Sequence, residues 1–306
     1  MAWKGLHLTR PSRLNYSNKQ IVVTQGDGEV RLAIEDVAWV ILDTQQVSLT
    51  GTLLAACLDA GIVLISCDSK HTPCGLALPF HGHFRQPAIA QAQIAMSEPQ
   101  KKRLWQSIIQ RKIENQAAVL AFSAPGEAPA LLEMVRWVRS GDPDNVEARA
   151  ARYYWQRLFP DFKRGDETDR RNKLLNYGYA IVRAAVARVL VAAGLLPAFG
   201  LNHSSVTNAF NLADDLVEPF RPFVDRVARE LAGHEITRSD DLTVEDRRAM
   251  ASVLLENACV GGERLALLVA AERTAASLVR AIEAKSAEAL ELPEVVKIEE
   301  APLDAE

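Results

Sequence analysis

The sequence predicts an α+β fold, with a small N-terminal β-rich domain followed by a larger all-α domain. Three observations carry this. The first 78 residues form short apolar runs separated by turn residues. From about Ala88 to Ala284 the apolar spacing becomes helical. The length of 306 residues suits about two domains.

In the first part, GLHLTR, RLNYS, QIVVTQ and VRLAI show partial alternation and are divided by PS, NK and GDGE turns. VAWVILD and GIVLISCD are continuous apolar runs of strand length, suited to buried strands. Between them TGTLLAACLDAG reads as a helix, capped by Thr50 and stopped by Gly61. These elements define a β-rich domain over residues 1–80. After LPFHGHFRQP, the stretch from QPAIAQ to AAVLAF reads as two helices broken near Pro99. LLEMVRWVRS and DPDNVEARAARYYWQRLF follow. NKLLNYGYAIVRAAVARVLVAAG is a long helix ending at Gly194. PFVDRVARELAG, DRRAMASVLLENA and a final GERLALLVAAERTAASLVRAIEAK complete a helical domain over 88–288. The acidic tail, 289–306, carries two prolines near its start and end and is expected to be disordered.

Hydrophobic residues make up 48% and charged residues 24%, as in an ordinary globular protein. The start, MAWKGLHLTRPSRLNYSN, lacks the apolar run of a signal peptide. The best candidate for a bilayer span, residues 180–199, carries Arg183 and Arg188 and reads as a buried helix. A cytoplasmic location with no membrane partner is therefore expected. Cys57, Cys67, Cys74 and Cys259 read as free thiols of a reducing compartment. His71, His81 and His83 lie near Cys67 and Cys74, but no second cysteine pair completes a structural zinc site.

The net charge of −4 argues against a chain that coats nucleic acid, yet its distribution is uneven. Residues 1–84 carry 6 Lys and Arg against 7 Asp and Glu; residues 85–188 carry 18 against 11, and residues 189–306 carry 11 against 21. A basic middle attracts phosphates locally even in an acidic chain. A solvated helix surface would give the same counts.

Two stretches hold the candidate chemistry. In DPDNVEARAARYYWQRLFP, Asp142 can cap a helix with Pro143 at its first position, which places Glu147 in the second turn beside Arg149 and Arg152. Read alone, Glu147 is a surface carboxylate paired with an arginine. GLNHSSVTNAFNLADDLVEPFRP, residues 200–222, places His203 in a polar turn upstream of Asp215 and Glu218. Those two carboxylates are three apart and share a face if the segment is helical. Asp214 is assigned the role of helix cap, and Asn202, Asn208 and Asn211 can hydrogen-bond turn backbone or orient a neighbouring ligand. Carboxylates with an imidazole suit Mg²⁺ or Mn²⁺, the nitrogen tilting the choice toward Mn²⁺. Such a site serves phosphodiester chemistry. Trp105, Tyr153 and Trp155, at helical spacing, read as core, and Arg221, set between two prolines, as structural.

DPDNVEARAARYYWQRLF, LLNYGYAIVRAAVARVLVAAGLLPAFGLNH and NAFNLADDLVEPFRP resemble the CRISPR-associated spacer-acquisition integrase, the "Cas-one" endonuclease, in its type II branch. KKRLWQSIIQRKIENQAAVL and the start ending in GIVLISCDSK are similar to it too, so the resemblance runs from about residue 3 to about residue 285. It implies an N-terminal β domain that dimerises and a helical domain that holds the active site. It also implies a homodimer, two of which are bridged by a small "Cas-two" partner into a heterohexamer, with room for other type II adaptation proteins. The family's metal-binding glutamate falls on Glu147, its histidine on His203 and its last acidic ligand on Glu218, where other branches have Asp. Asp215 matches a further acidic position that assists the site.

The function expected from this resemblance is insertion of short double-stranded DNA fragments into a CRISPR repeat by attack of a 3′-hydroxyl. Arg149, Arg152, Lys101, Lys102, Arg103, Arg111 and Lys112 are candidates for phosphate contact, each equally readable as solvated surface. Two rivals stand beside it: a metal-dependent nuclease that hydrolyses DNA without integration, and a non-catalytic DNA-binding scaffold.

Overall fold

The computed structural model describes residues 4–26, 28–80, 82–233 and 241–296. His81 lies outside the described residues, as does 297–306 of the tail.

The N-terminal part builds two four-stranded sheets. The first has the order β1 (Lys4–Leu8), β5 (Val37–Leu42), β7 (Val63–Cys67), β8 (Pro73–Ala77), parallel except for the last pair. The second has the order β4 (Gly28–Ala33), β3 (Gln20–Gln25), β2 (Ser12–Ser17), β6 (Val47–Leu49). Helix α1 (Gly51–Asp59) joins them. Thr50 caps it by accepting from the Leu53 N–H, and Gly61 leaves it at φ +68°, a conformation that favours glycine. Leu14, Ile21 and Val23 meet Val40, Leu53 and Leu64 in one core. Trp39, Ile41, Val63 and Ile65 point the other way, into the core of the helical part. β5 and β7 are thus covered on both faces, which explains their unbroken apolar sequence.

The helical part comprises α2 (Gln86–Ile94), α3 (Glu98–Ser123), α4 (Ala128–Val135), α5 (Val146–Leu158), α6 (Arg170–Ala192), α7 (Asn211–Leu216), α8 (Arg221–Ala232), α9 (Val244–Ala251) and α10 (Leu267–Ala284). Pro99 sits in the first turn of α3, where a missing N–H costs nothing. α3 runs through the centre, packed on α4, α5 and α8. α6 is long and apolar enough by composition to cross a membrane, but 72% of the qualifying window is buried inside the protein. It is a core helix, packed against α8, α9 and α10.

A small antiparallel sheet, β10 (Glu263–Ala266), β9 (Asn257–Val260), β11 (Glu294–Val295), belongs to this helical part as well. The helix read over DRRAMASVLLENA therefore stops at Ala251, and that read over GERLALLVAA begins only at Leu267. Gly261 and Gly262, both at positive φ, make the turn between β9 and β10.

The tail is ordered as far as the structure describes it, which corrects the expectation of disorder from residue 289. Leu292 and Val295 are buried, and β11 pairs with β9. Buried Asn115 on α3 fastens it: its amide donates to the Pro293 and Pro219 carbonyls at 2.8 Å each, and its oxygen accepts from the Val295 N–H at 3.0 Å. Asn115→Ala strands three buried backbone groups and should cost about 2–4 kcal/mol in urea unfolding. A loss under about 0.5 kcal/mol would show that the tail is not held this way.

Candidate active site

Glu147 lies in the first turn of α5, not the second, because the helix begins at Val146. Asp142 still serves the helix start. Its carboxylate accepts from the N–H groups of Val146 (2.9 Å) and Glu147 (3.0 Å), while Pro143 stays outside the helix. Asn145 enters the helix at φ +50°.

Residues 195–210 form a loop held by side chains of the flanking helices. Gln93 of α2 receives the Leu196 N–H and donates to the Leu196 and Phe199 carbonyls. Asn211 donates to the carbonyls of Ala198, Ser205 and Asn208, the turn-holding one of the two roles open to it. Asp215, wholly buried, is the hub of the segment. One oxygen accepts from the Leu201 (2.5 Å) and Asn202 (3.1 Å) N–H groups; the other takes the His203 N–H at 3.0 Å and His203 Nδ1 at 2.7 Å. A carboxylate only accepts, so Nδ1 carries the hydrogen and Nε2 is left with its lone pair in the neutral ring. Gly200 permits this wrapping: a Cβ there would lie 2.3 Å from the His203 carbonyl oxygen and 2.7 Å from Asp215 Oδ2. Trp105 of α3 meets the His203 ring edge-on at 5.9 Å. The hydrogen bond that His203 donates to Asp215 raises its pKa above the ordinary value, against the effect of burial.

The cap assigned to Asp214 is not what the structure shows. Its carboxylate takes Arg183 of α6 at 2.5 Å and the Asn208 amide at 2.7 Å, which pins the loop to the core helix. Asp215 and Glu218 do not converge on one point either. Glu218 opens a 3-10 turn, Glu218–Phe220, after α7 has ended, and turns toward α3. Pro219 and Pro222 each occupy a first-turn position, which settles the boundary between this turn and α8.

Lys112 is where Glu147 and Glu218 meet. Its Nζ lies 2.5 Å from Glu147 Oε1 and 2.5 Å from Glu218 Oε2. Lys112 is buried, so its assignment to DNA phosphate is corrected: its partners are these two carboxylates. Burial pushes Glu218 up, but the charges of Lys112 and Arg221 outweigh it and hold the carboxyl below its usual range. Burial likewise pulls Lys112 down, and the two glutamates overcome it. Arg221 fits its structural reading, pairing with Glu218 at 2.9 Å and lying over the Tyr179 ring.

The other basic candidates vary in setting. Lys102, Arg103, Arg149 and Arg152 are exposed, and Arg149 lies over Trp137. Lys101 pairs with Glu98 and lines a cleft of about 340 Å³ whose wall includes His203, Phe199 and Ser205. Arg111 is engaged by Glu114 and Glu294 at 3.0 Å each. Trp105 is core, whereas Tyr153 and Trp155 are half-buried.

Beneath the site lies a buried acid that sequence reading missed. Asp225 of α8 receives the hydroxyls of Tyr179 and of Tyr154, the latter seven residues beyond Glu147 on α5. Burial pushes its carboxyl up to about 7, against the tyrosine hydrogen bonds and Arg221. Between pH 3.8 and about 7 the folded chain holds a proton that the unfolded chain has lost, so stability falls as pH rises through that window. Asp225→Asn removes this dependence. Its stability relative to wild type should rise by about 2–3 kcal/mol from pH 5 to pH 8, read from thermal unfolding at the two pH values. A constant difference would contradict a protonated Asp225.

The donors present fit a hard divalent ion that tolerates nitrogen. The two carboxylates already share a cation. Glu218 Oε2 is buried, and its close partner is the Lys112 ammonium. The imidazole is oriented by a carboxylate, as metal-bound histidines are. Among the described residues no three such side chains close around a common point, and Lys112 stands between the two glutamates.

The fold has solved counterparts. A casposase bound to integration product overlays with a TM-score of 0.75 at 18% identity, over 94% of this chain and 92% of that one. A Cas6-RT-Cas1–Cas2 complex overlays with a TM-score of 0.69 at 19% identity, over 97% of this chain and 36% of that one. The architecture is thus that shared by casposases and Cas1 proteins. In sequence, the family model for CRISPR associated protein Cas1 matches residues 6–259. The CRISPR-associated endonuclease Cas1 of Neisseria meningitidis serogroup C (strain 8013) is 35% identical over 301 residues, covering 98% of this chain and 99% of that protein. The chain belongs to the Cas1 family of CRISPR-associated endonucleases.

Proposed function

We propose that this chain is a metal-dependent DNA integrase of CRISPR adaptation, of the type II branch. The observation that carries the reading is the meeting of Glu147 and Glu218, from separate elements, at one buried cationic point, with an oriented imidazole on the neighbouring loop. Glu147, Glu218 and His203 Nε2 would hold Mg²⁺ or Mn²⁺. When bound, such an ion acts as a Lewis acid on a phosphodiester and stabilises charge on the attacking and leaving oxygens.

The chain's own residues do the positioning. Asp215 fixes the imidazole, and Trp105 walls it on one side. Arg149, Arg152, Lys102 and Arg103 offer exposed charge to the backbone of a short double-stranded fragment, and Lys101 offers it at the cleft. The 3′-oxygen of that fragment bonds to phosphorus at a CRISPR repeat boundary, and the bridging oxygen of the repeat strand leaves as a hydroxyl. The attacking hydroxyl loses its proton and the leaving oxygen gains one. In-line placement and charge neutralisation supply most of the rate.

End-to-end similarity to the N. meningitidis relative supports the type II branch. Likeness to the casposase with its integration product supports DNA as substrate, and the Cas1–Cas2 complex supports a Cas2 partner. The assembly proposed is two homodimers bridged by Cas2, in the cytoplasm.

The test supplies a labelled fragment, with or without a free 3′-hydroxyl, to the protein with its Cas2 partner, Mn²⁺ and a repeat-bearing plasmid. Joined product should form only with the free hydroxyl and vanish with chelator. Plasmid cleavage indifferent to the hydroxyl would favour the hydrolytic nuclease. No metal-dependent reaction at all would favour the scaffold.

A further inference from the structure

Lys112 is a buried cation at the one place where two proposed metal ligands meet, and the mechanism above gives it no task. Its ammonium lies 2.5 Å from each glutamate, and its side chain is only 10% exposed. Glu147 and Glu218 sit on segments anchored independently, one at the start of α5 and one in the turn after α7. Two carboxylates this close repel strongly in a half-dry interior unless a cation lies between them. The point that Lys112 fills is also the one from which a single ion could reach both carboxylates. An ammonium and an inner-sphere divalent ion cannot share it.

We propose that Lys112 is the resident counter-ion of the site, holding Glu147 and Glu218 together in the metal-free protein and yielding their shared point when a divalent ion binds. This rests on the reading of Glu147, His203 and Glu218 as metal ligands. The flexible four-carbon stem lets the charge swing away without movement of α3. A divalent ion attracts each carboxylate with twice the charge of an ammonium, so it wins once its concentration is high enough. Apparent metal affinity is then the intrinsic affinity multiplied by the fraction of molecules in which Lys112 has swung away. The consequence is a concentration threshold. Scarce metal leaves the site neutralised and folded, and abundant metal loads it.

The test is Mn²⁺ binding to the full chain, followed by the electron-paramagnetic signal of the free ion. Lys112→Met keeps the length of the stem and removes the charge. It should bind Mn²⁺ at least tenfold more tightly than wild type. Equal or weaker binding overturns the proposal. Glu147→Ala separates this from the underlying reading: if it binds Mn²⁺ as well as wild type does, the ligand assignment fails, and the role of Lys112 falls with it. A second measurement needs no variant. In wild type, acetylation read by mass spectrometry should find Lys112 protected without metal and modified with saturating Mn²⁺, with exposed Lys102 as internal reference. Unchanged protection of Lys112 while Mn²⁺ is bound overturns the proposal.

Discussion

Asp215→Ala is expected to destabilise the protein by about 3–5 kcal/mol and to disorganise the loop that carries His203. Three backbone N–H groups and an imidazole N–H end on this one carboxylate, which is wholly buried. The Leu201 N–H is buried, whereas the donors of Asn202 and His203 are only partly buried; each donor left unpaired in the interior costs about 1–3 kcal/mol, with losses that do not simply add. Asp215→Asn is the sharper variant. It preserves volume, yet turns one accepting oxygen into a donor aimed at other donors. Both should lower the urea midpoint well beyond an exposed substitution such as Lys102→Ala. A loss below about 1 kcal/mol in both would mean that the loop is held by something other than Asp215.

The second large effect is on the reaction. Glu147→Ala and His203→Ala should fold, dimerise and bind DNA, but lose metal-dependent strand transfer. If the metal contributes roughly 4 kcal/mol of transition-state stabilisation, removing a ligand lowers the rate by roughly 10³-fold. Folding should survive because Glu147 is only half-buried and His203 is half-exposed, so neither removal opens a large cavity. Asp215 acts through His203, so combining Asp215→Asn with His203→Ala should cost little more activity than His203→Ala alone. Full integration by either single variant would remove it from the site.

What could be read from sequence was mostly local. Thr50 and Gly61 bound their helix as expected because capping depends on residues three or four apart. The Pro99 break and the Gly194 stop rest on equally short-range rules. The β9–β10 hairpin had such a signal in its Gly-Gly turn, which the apolar spacing on either side masked. β11 had less: two residues, recognisable only once Asn115 and β9 are in place.

Long-range roles were harder. Asp214 and Asp215 are adjacent and chemically identical, and helix phase alone sends one to Arg183 and the other to the His203 loop. Lys112 looked like part of a basic run because its partners lie 35 and 106 positions away. The burial of a charge is not visible in composition; it follows from α3 being central. Asp225 was missed for the same reason, since its two tyrosines come from α5 and α6.

Glu147, His203 and Glu218 are proposed to hold together the ion at which DNA is joined. Anomalous diffraction from crystals of the protein grown with Mn²⁺ and a DNA fragment tests it most directly. One manganese peak is expected, bonded to both glutamates and to His203 Nε2, with the Lys112 ammonium withdrawn from between them. A manganese peak elsewhere, or none while Lys112 still bridges the two glutamates and strand transfer proceeds, would contradict it.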